Sequence, residues 1–129
     1  MPLKRRQRVL IVDDEAMVRD LLADVLSEAG YQAVIAPTWD MGETGFDEIG
    51  YSLVITDMFM PGRDGIEVIN DVKKNWPDVK VLAISGGWGK TTPERAARAA
   101  VEIGASATLE KPFSPKDLVA MVKELIGEA

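Results

Sequence analysis

Five short apolar runs alternate with five stretches of helical spacing, and that alternation restricts the chain to very few folds. The runs are Arg8–Val12, Tyr31–Ala36, Leu53–Thr56, Val79–Ile84 and Ala107–Leu109. They are short and mostly rich in Val, Ile and Leu, as strands buried on both faces are. Met17, Leu21 and Val25 then repeat at helical spacing beside Val18, Leu22 and Leu26, and Gly30 supplies a stop. Pro37 ends the second strand. Thr38 can cap a helix from Trp39 to Ile49, weakened by Gly42 and Gly45 at roughly 1 kcal/mol each relative to alanine. Asp64 and Glu67 form a capping box ahead of Ile66, Ile69 and Val72, and Trp76-Pro77 closes that helix. Thr92-Pro93 opens an alanine-rich helix that runs through Ile103 and stops at Gly104. Ser114 and Asp117 make a second capping box, before a helix that turns Leu118, Val122 and Leu125 inward. Strands that alternate with helices need crossovers, so the sheet is parallel and covered on both faces.

The 129 residues suit one domain, 1–129, with residues 1–7 as a basic lead-in. No apolar run approaches the ~20 residues that cross a bilayer, and the N-terminus lacks a signal peptide, so a cytoplasmic protein is expected. With no cysteine and no histidine, thiol catalysis, an imidazole base, a thiolate metal site and a phosphohistidine are excluded on this chain. A net charge of −6 argues against nucleic-acid contact, which needs a basic stripe. The one basic cluster, Lys4 to Arg8, reads as a solvated lead-in to the first strand.

In a parallel sheet all carboxyl ends of the strands share one edge, where ligands bind. Four strand ends here carry polar groups: Asp13 and Asp14 after the first, Asp57 after the third, Ser85 after the fourth and Lys111 after the fifth. If the first and third strands are neighbours, three carboxylates converge. Two like charges ~4 Å apart repel by about 4 kcal/mol at an effective dielectric near 20, so one acid is protonated or a cation sits among them. Oxygen-only donors select Mg²⁺, Mn²⁺ or Ca²⁺, and a small protein donor set suits Mg²⁺. Lys111 adds a positive charge and Ser85 a hydroxyl donor. The result is a site for a phosphoryl group, in which the nucleophile is a carboxylate.

These residues resemble a response-regulator receiver domain of two-component signalling. The resemblance rests on Asp13-Asp14 after VLIV, Asp57 in LVITDMFMPGRDG, Ser85 after VLAI, and Lys111-Pro112-Phe113, and covers about residues 8 to 127. It implies a doubly wound, flavodoxin-like three-layer sandwich with sheet order 2-1-3-4-5 and five helices. It makes Asp57 the phosphoacceptor. Mg²⁺ would be held by Asp13, Asp14, Asp57 and the backbone carbonyl of Phe59. Lys111 would pair first with Asp57 and then with phosphoryl oxygens. Ser85 would bind the phosphoryl group and pass on the switch, and Pro112 would follow a cis peptide bond. The implied partners are a sensor histidine kinase or histidine phosphotransfer protein and a downstream effector, with no membrane and no direct nucleic acid. The domain would be a monomer or weak homodimer, and not an enzyme. The alternative is a magnesium-dependent phosphatase or phosphotransferase with an aspartyl-phosphate intermediate, which wants a second acid where Phe59 stands.

Two features depart from the family. Thr108 stands three residues before the lysine, where Tyr or Phe is usual. The segment between Ser85 and Lys111 is long around Gly86-Gly87-Trp88-Gly89. Both point to a switch that runs through Ser85, Thr108 and Trp88 without an aromatic rotamer in the fifth strand.

Overall fold

The computed structural model describes residues 6–58, 65–85 and 93–129. The elements run β1 (Arg8–Val12), α1 (Ala16–Glu28), β2 (Gln32–Ala36), α2 (Trp39–Glu43), α3 (Phe46–Ile49), β3 (Leu53–Asp57), α4 (Gly65–Asn75), β4 (Lys80–Ser85), α5 (Pro93–Ile103), β5 (Ala107–Glu110) and α6 (Pro115–Ile126). The five strands form one parallel sheet in the order β2-β1-β3-β4-β5, as expected.

Successive side chains of a strand point to opposite faces, so each central strand feeds two cores. Leu10, Val12, Val54, Val81 and Ala83 point to the side covered by α2, α3, α4 and α5. Val9, Ile11, Leu53, Ile55, Leu82 and Ile84 point to the other side, where Leu22 and Leu26 of α1 and Leu118 and Val122 of α6 meet them. All these side chains are buried. That two-sided burial explains why the strands read as apolar runs rather than alternating ones.

Among the described residues there are six helices, where five were expected. The segment from Trp39 to Ile49 is two short helices, not one. Thr38 caps the first through its side-chain oxygen, which accepts from Met41 N at 3.2 Å. Thr44 is then extended, and Gly45 takes φ +73°, a left-handed conformation that a side chain resists. The chain turns there and drops Phe46 into the core, stacked on Trp76 with centroids 4.0 Å apart and tilted against Tyr51 at 4.9 Å. The buried Trp39 indole donates to Asp71 Oδ2 at 2.7 Å and so fastens α2 to α4. Trp76 Nε1 similarly donates to Asp47.

Other boundaries follow the sequence. Gly30 and Gly104 stop α1 and α5 at φ +100° and +117°. Ser114 and Asp117 form the reciprocal capping box at the start of α6. The Asp64, Thr92 and Pro93 cap assignments fall on residues 64 and 92 and on the side chain of residue 93, outside what is described. Met17, Leu21 and Ile66 depart from the inward helical stripes. They are exposed, because the packed stripe of α1 is carried by Leu22 and Leu26 and that of α4 by Val68, Ile69 and Val72.

The two ends of the described chain meet at the amino edge of the sheet. Gln7 Nε2 donates to the carbonyls of Ile126 and Glu128 at 2.7 and 2.6 Å, and the Tyr31 hydroxyl donates to Gly127 O at 2.5 Å. No helix among the described residues is long and apolar enough to cross a membrane.

Candidate functional site

The register decides which strand ends meet. Val12 pairs with Thr56 across β1 and β3, so the next residues, Asp13 and Asp57, lie side by side at the carboxyl edge of the sheet. The strand order reverses on either side of β1, which makes this crevice the switch point of the sheet. Backbone bonds fix the rim. Asp13 N donates to Ala36 O at 3.2 Å, Met58 N to Ile84 O at 3.0 Å and Lys111 N to Ser85 O at 2.8 Å. These bonds tie the end of β1 to that of β2, and the ends of β3 and β5 to that of β4.

Asp57 is buried, and its Oδ2 accepts from Lys111 Nζ at 3.1 Å. Thr56, fully buried, donates its hydroxyl to the Asp57 carbonyl at 3.0 Å and holds the main chain at the strand end. The Lys111–Pro112 bond is cis. Ser85 is fully buried, and its hydroxyl has no partner among the described residues. Thr108 lies half-buried on β5 opposite Ala83.

Asp13 is the most perturbed acid. Its Oδ1 accepts from Glu15 N at 2.9 Å, while Oδ2 is buried with no partner among the described residues. Burial pushes its pKa from 3.8 up to about 6; the Asp57 and Asp14 charges add to the rise, and the Glu15 N–H and Lys111 oppose it. Between pH ~4 and about 6 the native state therefore holds a proton that the unfolded chain has released. The stability contributed by neutral Asp13 is fully present below pH ~4 and is lost as pH rises through about 6. Without Mg²⁺, Asp13→Asn is expected to melt above wild type at pH 7.5, by on the order of 2 kcal/mol, with the gap closing toward pH 4. Thermal melts across that range check it. A variant that is less stable at pH 7.5 would contradict this account of Asp13.

Of the expected metal ligands, Asp13 and Asp57 share the crevice, whereas Asp14 is exposed. Among the described residues no group of three acidic side chains closes to a metal-holding spacing. The donor chemistry nevertheless fits a hard cation. A buried carboxylate oxygen without a partner, with its proton affinity raised by burial, is relieved by a divalent ion as well as by a proton. Phe59 and Trp88, assigned to metal binding and to the switch, lie outside the described residues. Sequence reasoning missed Arg19, whose Nη1 donates to the Asp13 carbonyl at 2.9 Å. Its only trace in the sequence is a cation on the polar side of the α1 stripe.

Comparison with known proteins bears on the family and the fold. Residues 9–123 match the family described as the response regulator receiver domain. The phosphate regulon transcriptional regulatory protein PhoB of Escherichia coli K12 is 33% identical over 122 residues, which are 93% of this chain and 52% of that protein. The transcriptional regulatory protein ResD of Bacillus subtilis 168 is 33% identical over 123 residues, 95% of this chain and 49% of that protein. This chain thus spans about half the length of these curated relatives. The crystal structure of the receiver domain of NtrX from Brucella abortus superposes with a TM-score of 0.83 at 30% identity, covering 94% of this chain and 99% of that one. A family match over residues 9–123, on the sheet order the resemblance implied, settles the relationship: this chain belongs to the response regulator receiver domain family.

Proposed function

We propose that Asp57 accepts a phosphoryl group from a phosphohistidine on a sensor histidine kinase or histidine phosphotransfer protein, and that the altered surface then binds a downstream effector. The observation that carries this reading is the Asp57–Lys111 pair at 3.1 Å beside the unpartnered oxygen of Asp13. A carboxylate oxygen of Asp57 attacks phosphorus. The P–N bond breaks, its electron pair stays on the leaving imidazole nitrogen, and that nitrogen takes up a proton. The product is an acyl phosphate. Bound Mg²⁺ would neutralise charge on the phosphoryl oxygens, and Asp13, Asp14 and Asp57 would hold it, with the carbonyl of Phe59. Lys111 shifts its ammonium from Asp57 to a phosphoryl oxygen. The idle Ser85 hydroxyl becomes a donor to another, a change of partner that biases the surface between two states. With Thr108 short and β-branched, that change passes from Ser85 into the segment behind it, Trp88 included.

The donor protein also needs a seat. Met17 and Leu21, 86% and 58% exposed, stand on the first turns of α1, next to the acid pair. Their stripe continues to Val25 and a groove of about 490 Å³ lined also by Ala29, Val119 and Ala120 of the α1–α6 pair. An apolar stripe leading into a groove suits an amphipathic helix. The domain acts as a stoichiometric acceptor in the cytoplasm, as a monomer or weak homodimer, rather than as an enzyme. It makes no direct nucleic-acid contact.

Mg²⁺ added without any phosphodonor is expected to raise the melting midpoint, because it binds the native state. Asp14→Ala should abolish the rise, and an unchanged response in that variant would sink the assignment of Asp14. With a small acyl-phosphate donor and Mg²⁺, intact mass should show one added phosphoryl group per chain. Continuous release of phosphate from the donor at many turnovers would instead favour the phosphatase reading.

A further inference from the structure

We propose that Arg19 is a positioning residue for the acidic pocket: its guanidinium fastens the Asp13 carbonyl and thereby fixes the direction in which the Asp13 and Asp14 side chains leave β1. The inference rests on the reading of that pocket as a Mg²⁺-dependent phosphoryl site.

The turn between β1 and α1 is only three residues long, Asp13 to Glu15, and it carries both acids. α1 begins without help from its N-cap, since Glu15 makes no side-chain cap bond. The turn is held by other means. Asp13 Oδ1 accepts from Glu15 N at 2.9 Å, which spends one carboxylate oxygen on the local backbone and leaves Oδ2 for the pocket. Arg19 Nη1 reaches back from the first turn of α1 to donate to the Asp13 carbonyl at 2.9 Å, while Arg19 N continues the helix to Glu15 O at 3.0 Å. The carbonyl and the carboxylate of Asp13 are therefore each held by a residue at the start of α1, which restrains the peptide plane joining Asp13 to Asp14.

A guanidinium on the backbone carbonyl of an acidic residue is an unusual use of its charge. Arginine is the residue of choice for bidentate carboxylate pairing. Here it takes the main chain instead, and its buried Nε finds no partner among the described residues. That arrangement keeps a fixed positive charge off the Asp13 carboxylate, where it would compete with a divalent cation. It contributes direction while leaving the acid oxygens available. Second-sphere partners of this kind commonly alter metal affinity by about 10- to 100-fold.

The test compares wild type, Arg19→Met and Arg19→Lys. Arg19→Met keeps the aliphatic stem and removes the donor. Arg19→Lys keeps one charged donor. Two quantities are read for each: the Mg²⁺ concentration that half-saturates the rise in melting midpoint, with no phosphodonor present, and the rate of phosphoryl uptake from a small acyl phosphate as a function of Mg²⁺. Arg19→Met is expected to need about tenfold more Mg²⁺ in both assays yet to reach within twofold of the wild-type rate at saturation. Arg19→Lys should recover part of the loss. A wild-type Mg²⁺ requirement in Arg19→Met overturns the inference, and so does a rate deficit that excess Mg²⁺ does not relieve. A wild-type protein that neither responds to Mg²⁺ nor takes up phosphoryl overturns the reading of the pocket itself, and the inference with it.

Discussion

Asp57→Asn should take up no phosphoryl group from an acyl-phosphate donor in the presence of Mg²⁺, under conditions where wild type gains one per chain. The expected effect is complete, because the chain offers no histidine or cysteine to substitute. Asp57 lies at the end of β3, buried, with one oxygen on the Lys111 ammonium at 3.1 Å. That neighbour lowers the charge that an incoming phosphoryl group must approach. An amide has the same shape, so the fold should survive, but its nitrogen is no nucleophile and its oxygen a poor one. Intact mass and the melting midpoint together decide the matter. A folded Asp57→Asn protein that is phosphorylated at the wild-type rate would move the acceptor elsewhere. A slow residual modification would place a second, weaker acid within reach of the donor.

Gly65→Ala is expected to be the most damaging single methyl group outside the acid pocket. A Cβ at this position would lie 2.6 Å from the Asp57 carbonyl oxygen and 2.7 Å from Met58 Cα. Both are backbone atoms, so no rotamer change relieves the clash. The start of α4 or the end of β3 has to move. Overpacking of this kind costs about 3 kcal/mol, and a domain of this size should melt roughly 10 °C lower. The same displacement carries Asp57 away from Lys111, so phosphoryl uptake should fall even well below the melting range. If Gly65→Ala keeps the wild-type midpoint and rate, the close approach of α4 to β3 is not what holds Asp57 in place.

These two positions show how unevenly the sequence exposes its structure. Asp57 could be read directly, because a run of buried β-branched residues ending in an acid has few other meanings when other strands end in acids, a serine and a lysine. Parallel strands buried on both faces write themselves as continuous apolar runs, and all five were found within a residue or two. In the sequence Gly65 is only the residue that follows Asp64 of the capping box. Its real constraint is a backbone contact with a residue eight positions earlier, which appears only when α4 is docked. The break between α2 and α3 was hidden for a similar reason. Two glycines in a row of helix formers weaken a helix, but only the packing of Phe46 on Trp76 decides that Gly45 bends rather than merely softens it. Arg19 was invisible because its bond goes to a carbonyl, which every residue possesses. Met17 and Leu21 misled in the opposite way, since helical spacing records that a stripe is apolar and not which partner covers it.

The fastening of Gln7 and Tyr31 to the carbonyls of residues 126 to 128 has a practical consequence for handling the protein. It holds Gln7 and residues 126 to 128 at the edge of the sheet away from Asp57, a full strand of five residues distant, or roughly 16 Å of backbone rise. A surface linker or label attached through the side chain of residue 7 or residue 128 would therefore sit away from the approach taken by a bulky donor. Immobilised protein should accept phosphoryl groups as readily as free protein. The same geometry gives a tether attached there little leverage on the acid pocket, so pulling on it would strain the Gln7 and Tyr31 bonds before it disturbed Asp13 or Lys111.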